Sequence, residues 1–250
     1  MSHHLNKKIV DFLKEYLDLY GPDTYLDEKH VEYLQKEKPT VILTAPQKSE
    51  KMIMRDNQKS QSDEKPDTTL WNFMREIQEC AKCPLHKSRT KFVFGDGNEH
   101  ADLMFIGEAP GADEDRTGKP FVGRAGKLLN KMLSRININR EDVFITNILK
   151  CRPPNNRDPE PEEVKECFPY LHKQIELIQP KLIVALGRVA AQNLLNNSAS
   201  LKNMRRQKWE FKGITLIVTY HPAAILRNMG LTDEAQEDFD YINKTYQNLI

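Results

Sequence analysis

The sequence has no long apolar run. Its 250 residues contain no uninterrupted apolar stretch of about 18, the length that a membrane-spanning helix requires. Its polar start, Met1 to His4, does not resemble a signal peptide. These two absences predict a protein of the prokaryotic cytoplasm or nucleoid that has no membrane partner.

Neither sign of charge is in excess. The chain has 37 Lys and Arg residues against 36 Asp and Glu residues, so its formal net charge is +1. This balance excludes a protein that is strongly basic or acidic throughout. It does not exclude nucleic acid as a partner, because binding depends on where the charges lie.

Cysteine is scarce, with four in the chain. The cytoplasm keeps thiols reduced, so cysteines at organised spacings indicate metal binding or catalysis. Cys80 and Cys83 form a C-x-x-C pair, whereas Cys151 and Cys167 lie far downstream. One four-thiolate site accounts for all four, although Cys167 alone, on an amphipathic helix, is more typical of a small buried core residue. The spacing leaves zinc, an iron–sulfur centre and a thioredoxin-type redox pair open.

Composition divides the chain into three parts. Residues 1–44 are predicted to form an N-terminal helical extension, because apolar residues recur at helical spacing between positions 5 and 20. Residues 45–68 are polar and almost free of aromatics, which is typical of a flexible linker. Residues 69–250 form the main domain.

Within the main domain, apolar strands alternate with amphipathic helices. Strands are predicted over 102–107, 142–147, 181–186 and 214–219, and helices over 69–79, 123–136, 160–178, 188–195 and 232–249. Strands that are apolar throughout are buried on both faces, which is typical of a parallel sheet covered by helices. We therefore predict an α/β fold with a central four-stranded parallel sheet.

Chemically capable side chains follow each predicted strand. Glu108 comes after the first strand, Asn147 ends the second, Gly187 follows the third and His221 follows the fourth. Ligands of open parallel sheets bind beyond the carboxyl ends of the strands. The sequence therefore predicts that an acid, an amide and a histidine converge on one catalytic site.

Several motifs in this order resemble those of the family 4 uracil-DNA glycosylases. They are GEAPG at 107–111 with GKPFVGRAG at 118–126, TNILKCRPP at 146–154, and YHPAA at 220–224. The resemblance covers about residues 70–250 and also includes the four cysteines. It implies the three-layer glycosylase fold and a hydrolase of DNA repair that excises uracil from DNA. It further implies a 4Fe–4S cluster on Cys80, Cys83, Cys151 and Cys167, rather than zinc.

Some similar proteins are trapped on their product by a histidine in an inserted basic loop. Here the chain runs from Cys151 through Arg157 to Pro159 with no insert and no histidine. The resemblance therefore implies a hydrolytic, monofunctional enzyme.

Three residues are expected to carry the reaction. The uracil base must first leave the DNA base stack. The N-glycosidic bond then breaks to give a cationic sugar and a uracil anion. His221 is expected to donate to the uracil oxygen, either as a neutral ring or as a partial cation. Asn147 can both donate and accept hydrogen bonds, which matches the carbonyl and N–H groups of the uracil edge. Glu108 orients or deprotonates water, or stabilises the sugar cation.

Three further residues complete the expected uracil pocket. Phe121 is predicted to be the surface on which the base stacks. Glu114 is expected to exclude the methyl group of thymine, and Gly107 to let the backbone approach the ligand.

DNA contacts are expected from exposed cations near the pocket. The predicted contacts are Arg152, Arg157, Arg188, Arg206 and Arg227, together with the neighbouring run Lys202, Arg205 and Lys208. The expected partner is uracil-containing DNA, single- or double-stranded, and the protein is expected to be a monomer.

Two other classes stay open at this stage. One is a non-catalytic nucleic-acid-binding module with a zinc or iron–sulfur site, and the other is a redox protein. The grouping of Glu108, Asn147 and His221 at strand ends favours the enzyme, because a binding module has no need of it.

Overall fold

A six-stranded sheet forms the centre of the computed structural model, which describes residues 69–250. Its order is β1-β3-β2-β4-β6-β5. The strands are β1 (Asp96–Gly97), β2 (Leu103–Gly107), β3 (Phe144–Asn147), β4 (Leu182–Leu186), β5 (Trp209–Phe211) and β6 (Ile214–Thr219). The predicted helical extension and linker, including the helix within 5–20, lie outside the described residues.

The prediction of a central four-stranded parallel sheet is correct only in part, because the sheet has six strands and is mixed. The four predicted strands pair in parallel as β3-β2-β4-β6. Two short antiparallel strands extend its edges, β1 beside β3 and β5 beside β6. Neither edge strand is predicted by the sequence, because strands of two and three residues are too short to show an alternating pattern.

Helices cover both faces of the sheet. They are α1 (Thr69–Ile77), α2 (Ala112–Thr117), α3 (Arg124–Arg135), α4 (Pro161–Ile178), α5 (Arg188–Leu195), α6 (Leu201–Met204), α7 (Pro222–Arg227) and α8 (Thr232–Gln247). The long helices match the predicted ones to within two residues at each end. In α4, for example, Pro161 occupies the first turn and Glu163 accepts from the Glu160 amide.

Alternate side chains of the four parallel strands enter two separate cores. In β2, Met104 and Ile106 belong to a core that also contains Trp71 of α1 and residues of α4 and α5. Leu103 and Phe105 belong to the opposite core, with residues of α3 and α8. This division follows the two-residue period of a strand and gives the fold three layers.

No helix among residues 69–250 is long and apolar enough to cross a membrane.

The parallel strands end together at one edge of the sheet. Gly107 of β2 is level with Asn147 of β3, and Leu186 of β4 is level with Thr219 of β6. Gly187 then donates to the Thr219 carbonyl at 2.9 Å. The loops that follow these four strands therefore meet at one place.

Candidate active site

A cavity of about 440 Å³ opens where the four parallel strands end. Its walls include five of the predicted catalytic and uracil-binding residues, namely Glu108, Glu114, Phe121, Asn147 and His221. Three predicted DNA-contacting residues, Arg157, Arg188 and Arg227, also line it. The sheet edge thus brings together residues that are up to 119 positions apart in the chain, between Glu108 and Arg227.

Gly107 lies behind the cavity wall, where it lets two side chains come close together. A Cβ atom on Gly107 would lie 2.4 Å from Asn147 Oδ1 and 2.7 Å from Phe121 Cζ. Both distances are too short for real Cβ contacts, so any side chain here would displace the amide or the ring. Gly107 therefore shapes the pocket and does not line it.

Asn147 presents an unused acceptor. Its side chain is 1% exposed, and Oδ1 is buried with no hydrogen-bond partner among the described residues. A buried polar atom without a partner costs about 1–3 kcal/mol and calls for an explanation. A ligand with an N–H group in the cavity would supply the missing bond.

His221 is held as a neutral ring with a defined tautomer. Nδ1 accepts from the Ala223 amide at 3.1 Å at the start of α7, so the ring proton is on Nε2. Burial, reinforced by the charge of Arg227, lowers the pKa of His221 to about 4. The ring centroid lies 5.4 Å from that of Phe121. The structure thus favours the neutral donor of the two forms that the sequence left open.

Gly187 makes room for His221. It has φ +91°, and a Cβ there would lie 2.9 Å from His221 Cβ. Both its backbone conformation and its contact therefore require glycine.

Glu108 is a half-buried carboxyl in the cavity wall. Burial and the negative charge of Asp158 raise its pKa, against the opposing effect of Arg188 and Arg227. Its backbone carbonyl accepts from the Leu149 amide at 3.0 Å, which fixes its loop to the segment after β3.

Glu114 connects the two halves of the first motif. Its carboxylate accepts from the amides of Gly111 at 3.1 Å, Val122 at 2.9 Å and Gly123 at 2.9 Å. These bonds give Glu114 a role in shaping the loop that carries Phe121. Its predicted exclusion of the thymine methyl group stays a prediction.

Arg140, which the sequence patterns do not single out, fixes the backbone at Phe121. Its guanidinium donates to the carbonyls of Phe121 at 3.1 Å and Pro120 at 2.6 Å. Phe121 has a positive φ of 51°, which is uncommon for a bulky residue. Gly126 permits this turn, because its Cβ would lie 1.8 Å from the Phe121 carbonyl oxygen.

Most of the predicted DNA-contacting arginines have acidic or polar partners. Arg157 forms a two-point pair with Glu163 at 2.6 and 2.9 Å, and Arg188 pairs with Asp158 at 2.9 Å. Arg206 pairs with Glu237, and Arg152 donates to Asn156. Neither Arg152 nor Arg206 lines the cavity.

Arg205 is not available to DNA, contrary to the expectation for the run of which it is part. Its side chain is 4% exposed and pairs with Asp238 at 2.7 Å and with Glu234. It also donates to the Tyr220 hydroxyl at 2.6 Å, and its guanidinium lies 4.0 Å from the centre of the Tyr220 ring. Arg205 therefore joins α8 to the residue that precedes His221.

The structure brings the four cysteines together. They line one small pocket beside Arg89 and Tyr170, and all four are free thiols. Cys80 accepts from the Tyr170 hydroxyl at 3.2 Å. Cys151 accepts from Arg89 at 3.4 Å, and Cys167 accepts from the Lys150 amide at 3.3 Å.

Burial favours the protonated form of Cys83, Cys151 and Cys167. It raises the pKa values of Cys83 and Cys151, and it raises that of Cys167 to about 12. Among residues 69–250, no group of three or more His, Cys, Asp or Glu side chains is placed to hold a single metal ion.

This fold and site define the class of protein. The family described as the uracil DNA glycosylase superfamily matches residues 94–249, so the chain belongs to that superfamily. Within it, the chain is 50% identical to a type-4 uracil-DNA glycosylase of Archaeoglobus fulgidus over 184 residues, which cover 70% of this chain and 92% of that protein. The resemblance to family 4 is thereby confirmed.

Two further relatives show how the similarity is distributed. A type-4 uracil-DNA glycosylase of Sulfurisphaera tokodaii is 46% identical over 185 residues, covering 70% of this chain and 84% of that protein. A type-5 uracil-DNA glycosylase of Pyrobaculum aerophilum is only 28% identical over 194 residues, covering 64% and 84%. The chain is thus much more similar to the type-4 proteins than to this type-5 protein.

Proposed function

We propose that this protein excises uracil from DNA by hydrolysing the N-glycosidic bond of a flipped-out nucleotide, which leaves an abasic site. The main evidence is the composition of the cavity wall. A neutral His221 lies beside Phe121 there, and the amide oxygen of Asn147 has no hydrogen-bond partner among the described residues. A flat base with both N–H and carbonyl groups fits all three side chains.

Phe121 and Asn147 recognise the base. The Phe121 ring offers a stacking surface, which contributes about 1–3 kcal/mol per base. Asn147 Oδ1 accepts from the uracil N–H, and its amide group donates to the neighbouring carbonyl. Burial of the unpaired Oδ1 in the free protein favours uracil over a base that lacks the matching donor.

His221 stabilises the leaving group. As the bond breaks, negative charge develops on the uracil oxygen, and the Nε2–H of His221 donates to it. Because the pKa of His221 is about 4, the ring stays neutral near pH 7 and donates without transferring its proton.

Glu108 acts on the sugar side of the bond. As a carboxylate it either orients and deprotonates the attacking water or stabilises the oxocarbenium-like sugar by its charge. Its half-buried position strengthens either effect, because water screens the carboxylate less than at the surface.

The four cysteines are proposed to hold a 4Fe–4S cluster. Thiolates are the ligands of such clusters, and hydrogen bonds to the sulfurs, like those from Arg89 and Tyr170, accompany them. Thiolates alone bind zinc and iron–sulfur centres alike, and the resemblance to the family 4 glycosylases favours the cluster. When bound, the cluster supplies a cross-link between distant segments.

DNA is the partner that the family supports, and single- and double-stranded forms are both proposed substrates. Arg227 lines the cavity and is exposed, and its side chain has no acidic partner among the described residues. It is therefore the proposed phosphate contact nearest the flipped nucleotide. Arg157 and Arg188 can contact phosphate only where DNA displaces their acidic partners, Glu163 and Asp158. The protein is proposed to act as a monomer.

A gel assay tests the proposed function. The purified protein is incubated with a single-site uracil oligonucleotide and with a matched thymine oligonucleotide, with and without alkali. Cutting that requires both uracil and alkali is expected, because an abasic site remains intact until alkali breaks it. Cutting without alkali, or none on either form of uracil DNA, contradicts a monofunctional uracil glycosylase.

A further inference from the structure

Lys150 is a buried lysine whose side-chain nitrogen contacts three oxygens. It is 0% exposed, and Nζ donates to Thr146 Oγ1 at 2.6 Å, Asn147 O at 2.7 Å and Gln174 Oε1 at 2.6 Å. Three acceptors match the three hydrogens of an ammonium group. Such full satisfaction is required for a buried charge to be tolerated.

The acceptors of Lys150 are themselves fixed. Thr146 Oγ1 donates to the Phe94 carbonyl at 2.8 Å, and Gln174 Nε2 donates to the same oxygen at 2.9 Å. The network therefore joins β3, helix α4 and the segment before β1 in one arrangement. A change at Lys150 cannot be absorbed by movement of a free side chain.

The backbone of Lys150 extends this network to the cysteines. Its amide donates to Cys167 Sγ at 3.3 Å, its carbonyl accepts from the Val93 amide at 2.8 Å, and Cys151 is the next residue. Lys150 thus lies between the four-cysteine site and Asn147. The ammonium group contacts the backbone of the one residue whose amide oxygen is left unbonded in the cavity.

We propose that Lys150 is a positioning residue: its ammonium group holds the Asn147 backbone so that the Asn147 amide faces the uracil edge, and it connects this amide to the four-cysteine site. The inference rests on the proposed uracil excision. It assigns Lys150 no contact with substrate, so its effect must pass through Asn147.

The test is a double-mutant cycle measured as single-turnover kcat/KM on a uracil oligonucleotide. Lys150→Met keeps the length of the side chain and removes its three donors. It is compared in the wild-type and Asn147→Ala backgrounds. Lys181→Met is the matched control. Lys181 lies just before β4, is exposed and pairs with Asp102. Iron content, visible absorbance and thermal midpoint are recorded for every variant.

We expect Lys150→Met to reduce kcat/KM by about tenfold or more, because loss of a hydrogen bond to a charged group has an effect of this size. In the Asn147→Ala background the same change should have almost no further effect, while the iron content stays at the wild-type level. Lys181→Met should match the wild type.

Equal loss in both backgrounds, or no loss in the wild-type background, overturns the proposal while leaving uracil excision intact. Inactivity of the wild-type protein instead overturns the proposed function. If Lys150→Met does not fold, Gln174→Met replaces it, because it removes one acceptor and leaves the Lys150 bond to Asn147. It should show a smaller loss that also disappears in the Asn147→Ala background, and a loss that persists there overturns the proposal.

Discussion

At the scale of single residues, the missing side chain of Gly107 controls the pocket. Asn147 Oδ1 and Phe121 Cζ both occupy the space that a Cβ on Gly107 would need. The Asn147 amide and the Phe121 ring can therefore contact the same base, provided that position 107 carries no side chain. Because β2 is fully buried and hydrogen-bonded on both sides, the backbone cannot shift to make room.

The first prediction concerns Gly107→Ala. We expect this methyl group to displace Asn147 or Phe121 and to lower the single-turnover rate at least about a hundredfold, because misplacing a substrate-positioning group by about 1 Å has this effect. Circular dichroism should stay near that of the wild type. Gly213→Asn is the control, since Gly213 has open space around it and asparagine tolerates its positive φ. Equal activity of both variants would show that the close approach at Gly107 is unimportant.

The second prediction concerns pH. Burial raises the pKa of Glu108, so the folded protein holds its proton at a pH where an ordinary glutamate, with a pKa of about 4.3, is ionised. Activity that requires the carboxylate should therefore fall as pH decreases through this raised pKa. The pH dependence of stability has the opposite sign. The protonated Glu108 favours the folded state, and this contribution to the free energy of unfolding is lost as pH rises through the raised pKa.

The pH–rate profile of kcat/KM checks this assignment. Glu108→Gln should be slower at every pH and should lack the acidic limb. His221, with a pKa of about 4, stays neutral until the pH falls below the raised pKa of Glu108. If the limb persists unchanged in Glu108→Gln, another group produces it.

The sequence could indicate Glu108, Asn147 and His221 because each follows an apolar strand, and parallel strands must end at one edge. It could not indicate Lys150, Arg140 or Arg205. Charged residues are usually exposed, and only the packed fold shows that these three are covered and given partners. The tautomer of His221 likewise depends on a bond to Ala223 that forms only in the folded loop.

At the scale of elements, Arg205 connects α8 to the segment between β6 and His221. Asp238 of α8 accepts from Arg205 and also from Thr219 Oγ1 at 2.7 Å at the end of β6. Arg205 and Glu234 both bind the Tyr220 hydroxyl. The position of His221 thus depends on a buried ion-pair network behind the cavity.

The third prediction is that Arg205→Met lowers the free energy of unfolding by about 3–5 kcal/mol, because it removes the hydrogen-bonded cation of the buried Asp238 and leaves only Arg206, at 3.8 Å. Denaturant unfolding measures this loss. Arg206→Met is the neighbouring control, since Arg206 is exposed and its pairing should be worth no more than about 1 kcal/mol. Equal effects of the two substitutions would contradict a buried role for Arg205.

The elements themselves were predictable where they are long. The apolar strands β2, β3, β4 and β6 and the helices α4 and α5 show clear periodicity. The edge strands β1 and β5 and the short helix α2 do not, because hydrogen bonds with neighbours define them, not a pattern of their own. Helix α2, for example, begins where Glu114 accepts from the Gly111 amide.

At the scale of the whole molecule, the four cysteines join segments that are far apart in the chain. Cys80 and Cys83 follow α1, Cys151 lies in the loop after β3, and Cys167 lies within α4. A cluster on these residues would cross-link the first described helix to the loop that adjoins Asn147. The buried thiols must lose their protons to bind it, so cluster binding and folding are coupled.

The fourth prediction is that the purified protein contains about four irons per chain, as expected for one 4Fe–4S cluster. Cys151→Ala should lose iron and visible absorbance, unfold at lower temperature and lose activity on uracil DNA. Iron analysis and thermal unfolding check this outcome. A stable, active and iron-free Cys151→Ala protein would exclude the cluster as a support for the site.

We propose that the cavity at the strand ends performs the reaction. The most direct measurement is the single-turnover rate of uracil release by the wild type, Asn147→Ala and His221→Ala, with the exposed His100→Ala as control. We expect the two cavity variants to be slower by about 10²–10³-fold, the effect of losing one preorganised donor, and His100→Ala to match the wild type. Wild-type rates in Asn147→Ala and His221→Ala would contradict the claim and place the chemistry elsewhere in the protein.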